Sequence, residues 1–257
     1  MTLERPQGPE KPSSHGTPHR LFVDASLAPG EMVALNAAQA NYLLSVLRLA
    51  NGARILVFNG KQGEFAAKLT TTSRRAANLA IEHRERGQPA ASSIVYAFAP
   101  LKHARLDYMV QKAVEMGAGC LAPVITRRTQ VSRVNTQRMR ANAIEAAEQC
   151  GILCLPDIRP DCSFDAFLVA CPNTSPVIFC DEEASVSDPI ASLGTVKSPL
   201  TILVGPEGGF DPIERQALLK RPNVLRVSLG PRILRADTAA VAVLALVQAA
   251  IGDWRQA

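Results

Sequence analysis

The sequence predicts an α/β protein in which a small β-barrel-like region precedes a larger domain built on a parallel sheet. Three observations lead there. Beyond residue 93, continuous apolar runs alternate with helix-periodic segments, the pattern of parallel strands covered on both faces. Before residue 85 the runs are short, β-type and divided by Pro-Gly, Asn-Gly and Gly turns. Between these patterns lies ERGQPAASS, residues 85–93, a polar stretch with Gly and Pro that reads as a linker.

Taken in order, Met1–His19 holds four prolines and two glycines among small polar residues, so 1–19 is expected to be a disordered tail. From Arg20, the runs RLFVD, MVAL, ARILVFNG, EFAAKLTTT and ANLAIEH are expected strands of a small domain over 20–87. One helix, Ala37–Leu49, interrupts them, with Ala40, Leu43, Leu44, Val46 and Leu47 on its apolar face. Over 88–257 the expected strands are SIVYAFAP, CLAPVI, PVIFC, LTILVG and NVLRVSL, and the expected helices Leu106–Met116, Arg138–Cys150, Pro212–Lys220 and Thr238–Ile251. No internal repeat is visible.

Composition narrows the function. Hydrophobic residues make up 47% and charged residues 20% of 257, ordinary globular values. No apolar run reaches the roughly 18 residues of a membrane span, and no hydrophobic leader precedes the first strand, so a soluble cytoplasmic protein without a membrane partner is expected. The six cysteines form no CxxC pair and lie near no histidine cluster, which favours reduced structural thiols and predicts no metal. Net charge is +5, and its distribution is uneven. Between Glu115 and Glu145 no acid occurs, while Arg127, Arg128, Arg133, Arg138 and Arg140 fall there, either as a solvated face or as a strip for a polyanion.

Open parallel sheets bind ligands beyond the carboxyl ends of their strands, so two loops stand out. The first is LVGPEGGFDPIE, residues 203–214. Asp211, Pro212 and Glu214 form the start signal of a helix, which leaves Gly205, Gly208 and Gly209 in the loop before it. Such a loop either wraps a flat ligand or needs glycine for its own turn. It is neither GxGxxG nor a P-loop, which disfavours nicotinamide cofactors and nucleoside triphosphates. The second is SLGPRILRADTAA, residues 228–240, where Asp237 or Thr238 is expected to cap a very apolar helix. Ile233 and Leu234, between Arg232 and Arg235, are expected to be buried while the arginines face an anion or surface acids.

These two motifs together resemble the C-terminal motifs of the ribosomal RNA small-subunit methyltransferase E family, of the SPOUT class. The likeness runs from Arg20 almost to the end: RLFV, VLRL and ARILVFNGKQGEF resemble that family's PUA-like RNA-binding barrel, and KHARLDYMVQKAVEMGAGCLAPVITRRT and AIEAAEQCG its central segments. The resemblance implies a deep trefoil knot in the C-terminal domain, a homodimer, and S-adenosylmethionine-dependent methylation of uridine N3 in 16S ribosomal RNA of the small subunit.

The cofactor residues it implies are Leu203, Val204, Gly205, Pro206, Glu207, Gly208 and Gly209 in the first loop, with Leu229, Gly230, Ile233, Leu234, Ala236 and Thr238 in the second. Arg235 and Arg232 are then expected to stabilise charge on the uracil oxygens, and Asp237 or Glu207 to take the N3 proton. Arg48 in the barrel joins the five arginines of 127–140 as an RNA contact. The chain departs from the family where Arg-Thr-Glu-Thr-Ala is usual, having Arg235-Ala236-Asp237-Thr238-Ala239, and in Ile152 after EQCG. Methylation of another RNA position or of transfer RNA, and RNA binding without turnover, are the competing readings.

Overall fold

A computed structural model describes residues 19–185 and 188–255. Apart from His19, the expected tail lies outside them. The chain divides between Gly87 and Gln88 into two units.

In the first unit, β1 (Arg20–Phe22), β2 (Met32–Ala34), β3 (Arg54–Phe58), β4 (Glu64–Ser73) and β5 (Ala76–Arg86) form one sheet in the order β1-β3-β4-β5-β2. Only the β1–β3 pair is parallel. Alternate side chains such as Ile55, Val57, Leu69, Leu79 and Ile81 are buried together, as a sheet with one covered face requires. Breaks of register between β4 and β5 bend the ribbon. Strand β5 runs on to Arg86, into the segment expected to be linker, because Arg86 Nε donates to Glu64 Oε2 at 2.7 Å. Glu64 is 2% exposed, and its other oxygen takes Arg20 Nε at 2.6 Å. Burial pushes this carboxyl up, but the bonds from Arg86 and Arg20 outweigh it and hold it below the usual range.

The helix expected over Ala37–Leu49 is shorter. A capping box of Asn36 and Gln39 starts α1 (Ala37–Asn41), which widens into a π-turn over Tyr42–Val46. Arg48 then takes a left-handed backbone (φ 54°), and the Leu49 amide bonds the Leu43 carbonyl at 2.9 Å, closing the helix end.

The second unit carries β6 (Ile94–Phe98), β7 (Cys120–Ile125), β8 (Asp157–Ile158), β9 (Cys162–Ser163), β10 (Val177–Cys180), β11 (Leu200–Val204) and β12 (Val224–Val227). Their order is β12-β10-β11-β6-β7-β8, with β9 beside β7, and every pair is parallel. The helices are α2 (His103–Glu115), α3 (Thr136–Cys150), α4 (Phe164–Ala170), α5 (Pro189–Leu193), α6 (Pro212–Leu219) and α7 (Ala236–Ile251). Two core clusters flank the sheet. One gathers Tyr96, Leu121, Ile178 and Ile202 with α2, α3 and α7; the other gathers Ala97, Val124, Phe179 and Leu203 with α4. That two-sided burial is why these strands read as unbroken apolar runs.

Helix α6 starts as its sequence dictates. Asp211 accepts from the Ile213 amide at 2.9 Å and Glu214 reaches back to the Asp211 amide at 3.2 Å. Glu214 is 4% exposed, and its other oxygen takes the Arg127 amide at 2.9 Å, so it also anchors the end of β7. Helix α7 departs from expectation: it begins at Ala236, Arg235 is its N-cap residue, and no side chain caps it. Asp237 is already inside the first turn, drawn aside by Arg105 from α2 at 3.0 Å.

Candidate active site

Strands β10, β11 and β12 lie side by side and end together, with Phe179 opposite Leu203 and Cys180 opposite Val227. The loops that leave them, Asp181–Glu183, an arch over 205–210 and a third loop over 228–235, enclose a cavity of about 280 Å³. Its floor is apolar, from Val204, Leu229, Leu234 and Ala239, and its rim is charged. A concave apolar pocket with a few polar groups suits a nucleoside-sized ligand, at the sheet edge where open α/β folds bind them.

Of the residues expected to hold a cofactor, Val204, Gly205, Pro206, Glu207 and Gly209 line the cavity from the arch. Leu229, Gly230, Ile233, Leu234 and Ala236 line it from the third loop. Leu203, Gly208 and Thr238 do not: Leu203 points into the core, Thr238 is exposed on α7, and Gly208 faces Arg128. The glycines have unlike reasons to be there. A Cβ on Gly205 would come within 2.6 Å of the Phe210 ring, so close packing inside the arch requires that glycine. Gly230 has φ 103° with nothing within 4 Å of a Cβ, a left-handed turn beside open space.

The burial expected of Ile233 is not found. Its side chain is 87% exposed while Leu234 is half-buried, because the loop turns Ile233 outward at the cavity mouth. Arg232 and Arg235 line the cavity, are exposed, and have no ion-pair partner among the described residues. Asp237 does not reach the lining, whereas Glu207 does. Both acids are held by Arg105, through Nη1 on Glu207 and Nε on Asp237 at 3.0 Å. The bond from Arg105 holds the Asp237 carboxyl below the usual carboxylate range, which makes it a weak base.

The arginine strip separates into parts. Arg127 reaches Asp211 at 3.2 Å, and Arg128 donates to the Gly208 carbonyl at 2.7 Å, so both brace the arch. Arg138 grips Asp107 of α2 at 2.8 and 2.5 Å, and Arg133 and Arg140 are exposed. The segment is free of acids in sequence, but the fold brings acids to it from α2 and α6. Arg48 is exposed in the first unit.

Sequence reasoning missed Arg105 although it stands in KHARLDY, because its partners are far along the chain. It also missed the β10 loop. There Asp181, 4% exposed, holds Arg215 and Arg226 at 3.0 and 2.7 Å; burial raises its carboxyl, but the two arginines outweigh that and hold it low. All six cysteines are free. Cys180, in the cavity wall, has its thiol pushed up to about 12 by burial, so at neutral pH it is protonated and no nucleophile. Among the described residues no group of His, Cys, Asp and Glu gathers as a metal site, and no helix is long and apolar enough to cross a membrane.

Residues 88–248 match the model of a family described as an RNA methyltransferase domain, and residues 35–82 match an RNA methyltransferase PUA domain. Ribosomal RNA small subunit methyltransferase E of Rickettsia conorii is 29% identical over 90% of this chain and 95% of its own length. The solved ribosomal RNA small subunit methyltransferase E from Neisseria gonorrhoeae, bound to S-adenosylmethionine, is 28% identical with a TM-score of 0.81, over 93% of this chain and 100% of that one. A methyltransferase from Legionella pneumophila, also with S-adenosylmethionine bound, is 26% identical with a TM-score of 0.80, over 91% and 98%.

Proposed function

The chain belongs to the RNA methyltransferase family, with a PUA-like domain ahead of the catalytic one, and on that premise we propose that it methylates N3 of a uridine in 16S ribosomal RNA of the small subunit. The observation that carries this reading is the cavity where three parallel strands end, apolar within and rimmed by two arginines that have no ion-pair partner among the described residues. S-adenosylmethionine, when bound, supplies a methyl group already activated by its sulfonium.

The chain's own residues align the acceptor and manage a proton. Backbone groups of the arch and of the turn at Gly230 would hold the nucleoside part, with Leu229 and Leu234 supplying apolar surface for it. Uridine N3 carries a proton at neutral pH. Arg232 and Arg235 stabilise the negative charge that grows on the uracil oxygens as that proton leaves. Glu207, the acid that lines the cavity, accepts it, and Asp237 supports Glu207 through their shared arginine. Arg48, Arg133 and Arg140, together with the exposed guanidinium faces of Arg127, Arg128 and Arg138, contact RNA phosphates, a grip that weakens as salt rises. We further propose that the chain acts in the cytoplasm as a homodimer, for which the exposed Ile233 at the cavity mouth offers an apolar contact, and that its C-terminal domain is tied in a trefoil knot.

The test is incubation with radiolabelled S-adenosylmethionine and three acceptors: undermethylated small subunits, naked 16S RNA and bulk transfer RNA. Label recovered as N3-methyluridine from the small subunit or its RNA is expected. Label confined to transfer RNA overturns the substrate, and tight cofactor binding with no transfer to any RNA overturns the enzyme.

A further inference from the structure

Arg105 stands in the first turn of α2 and reaches two segments that lie far from it in sequence. Its Nε donates to Asp237 at 3.0 Å and its Nη1 to Glu207. Glu207 sits in the middle of the arch; Asp237 is the second residue of α7, two beyond Arg235. Among the described residues no other ion pair joins the arch to α7. The third nitrogen, Nη2, is buried without a hydrogen-bond partner. A buried donor left unfilled is costly, so the orientation of this guanidinium is dictated by its two carboxylates and not by its own satisfaction. Planar, with separate donor edges, a guanidinium can hold two acids in fixed relation, which an ammonium cannot.

We propose that Arg105 is a positioning residue for methyl transfer, a latch that fixes the arch and the start of α7 relative to each other and thereby sets Arg235 against the cofactor pocket. This rests on the functional reading above. Loss of the latch leaves both ligand surfaces in place and misaligns them, so it lowers the chemical step more than binding.

The test uses the full chain with Arg105→Gln, Arg105→Lys, Asp237→Asn and the double variant Arg105→Gln with Asp237→Asn. In Arg105→Gln, kcat falls about 100-fold while KM for RNA and the calorimetric Kd for S-adenosylmethionine stay within about threefold. Lysine, holding one acid at a time, recovers roughly a tenth of the wild-type kcat. The double variant is no slower than the worse single one, because both act through the same contact. Without any substrate, the Gly209 amide, bonded to Pro206, and the Thr238 amide, bonded to Asp237, exchange hydrogen about tenfold faster in Arg105→Gln. A kcat within twofold of wild type, fully additive losses, or unchanged exchange at both amides overturns the latch. Should the wild-type chain methylate no RNA, the functional reading fails, and amide exchange still decides the latch by itself.

Discussion

Two charge clusters in this molecule are built as opposites. In the first unit one carboxylate, Glu64, is 2% exposed and takes two arginines. In the second, one arginine, Arg105, takes two carboxylates and keeps 35% of its side chain exposed. The Glu64 cluster uses both carboxylate oxygens, whereas the Arg105 cluster leaves a buried donor unfilled. A charge removed from water makes the surrounding fold depend on its partners. A half-exposed one adds little stability, and its value lies in where it holds things. The same chemistry thus secures structure in one place and geometry in the other.

The sharpest departure from both clusters is Arg235, a charge with no ion-pair partner among the described residues. Arg235→Ala is expected to reduce methyl transfer about 100- to 1,000-fold, the cost of losing one preorganised donor, while calorimetric cofactor affinity stays within about threefold. Equal losses in both would place Arg235 in cofactor binding instead.

Next in size comes Glu64→Ala. It removes the carboxylate that two arginines share, one of them almost buried, and is expected to lower stability by about 3 kcal/mol in urea unfolding, with transfer per folded molecule unchanged. Arg105→Gln should cost no more than about 1 kcal/mol in the same measurement, which would separate the two clusters cleanly.

Acid distinguishes them further. The folded pKa of Glu64 lies below its unfolded value, so its contribution is fully present above about pH 4.3 and is lost as pH falls through the lower folded value. Asp237 behaves in the same sense from about pH 3.9 downward. Unfolding of wild type and Glu64→Gln, followed from pH 6 to about pH 3, should show a flatter acid dependence in the variant. Parallel curves would remove Glu64 from the account. The smallest effect belongs to Arg54→Ala, whose partner Glu85 is a surface acid; a change within about 0.5 kcal/mol is expected.

Much of the fold is legible in the chain because its causes are local. Strands such as Leu200–Val204 are buried on both faces and so are apolar throughout, and Asp211, Pro212 and Glu214 encode a helix start in four residues. Helices α4 and α5 are too short for a period to emerge, and the π-turn after Asn41 leaves the apolar pattern of Ala37–Leu49 unchanged while altering its shape. The glycine loops announce a cavity; which glycine faces it is a matter of backbone direction, and Gly208 turns away. Least legible are charges whose partners lie far away in sequence. Arg105 meets Asp237 132 residues later, and Arg138, in a stretch without acids, meets Asp107 of another helix. Asp237 reads as a cap because capping is local, and Arg105 overrides it from outside.

Glu214 has a further consequence. Its two oxygens shackle the foot of the arch to the end of β7, and Phe210 wedges the span against Gly205. The arch is therefore held by hydrogen bonds on its α6 side and by close packing on its β11 side, so a ligand meets a wall already shaped and little ordering is left to accompany binding.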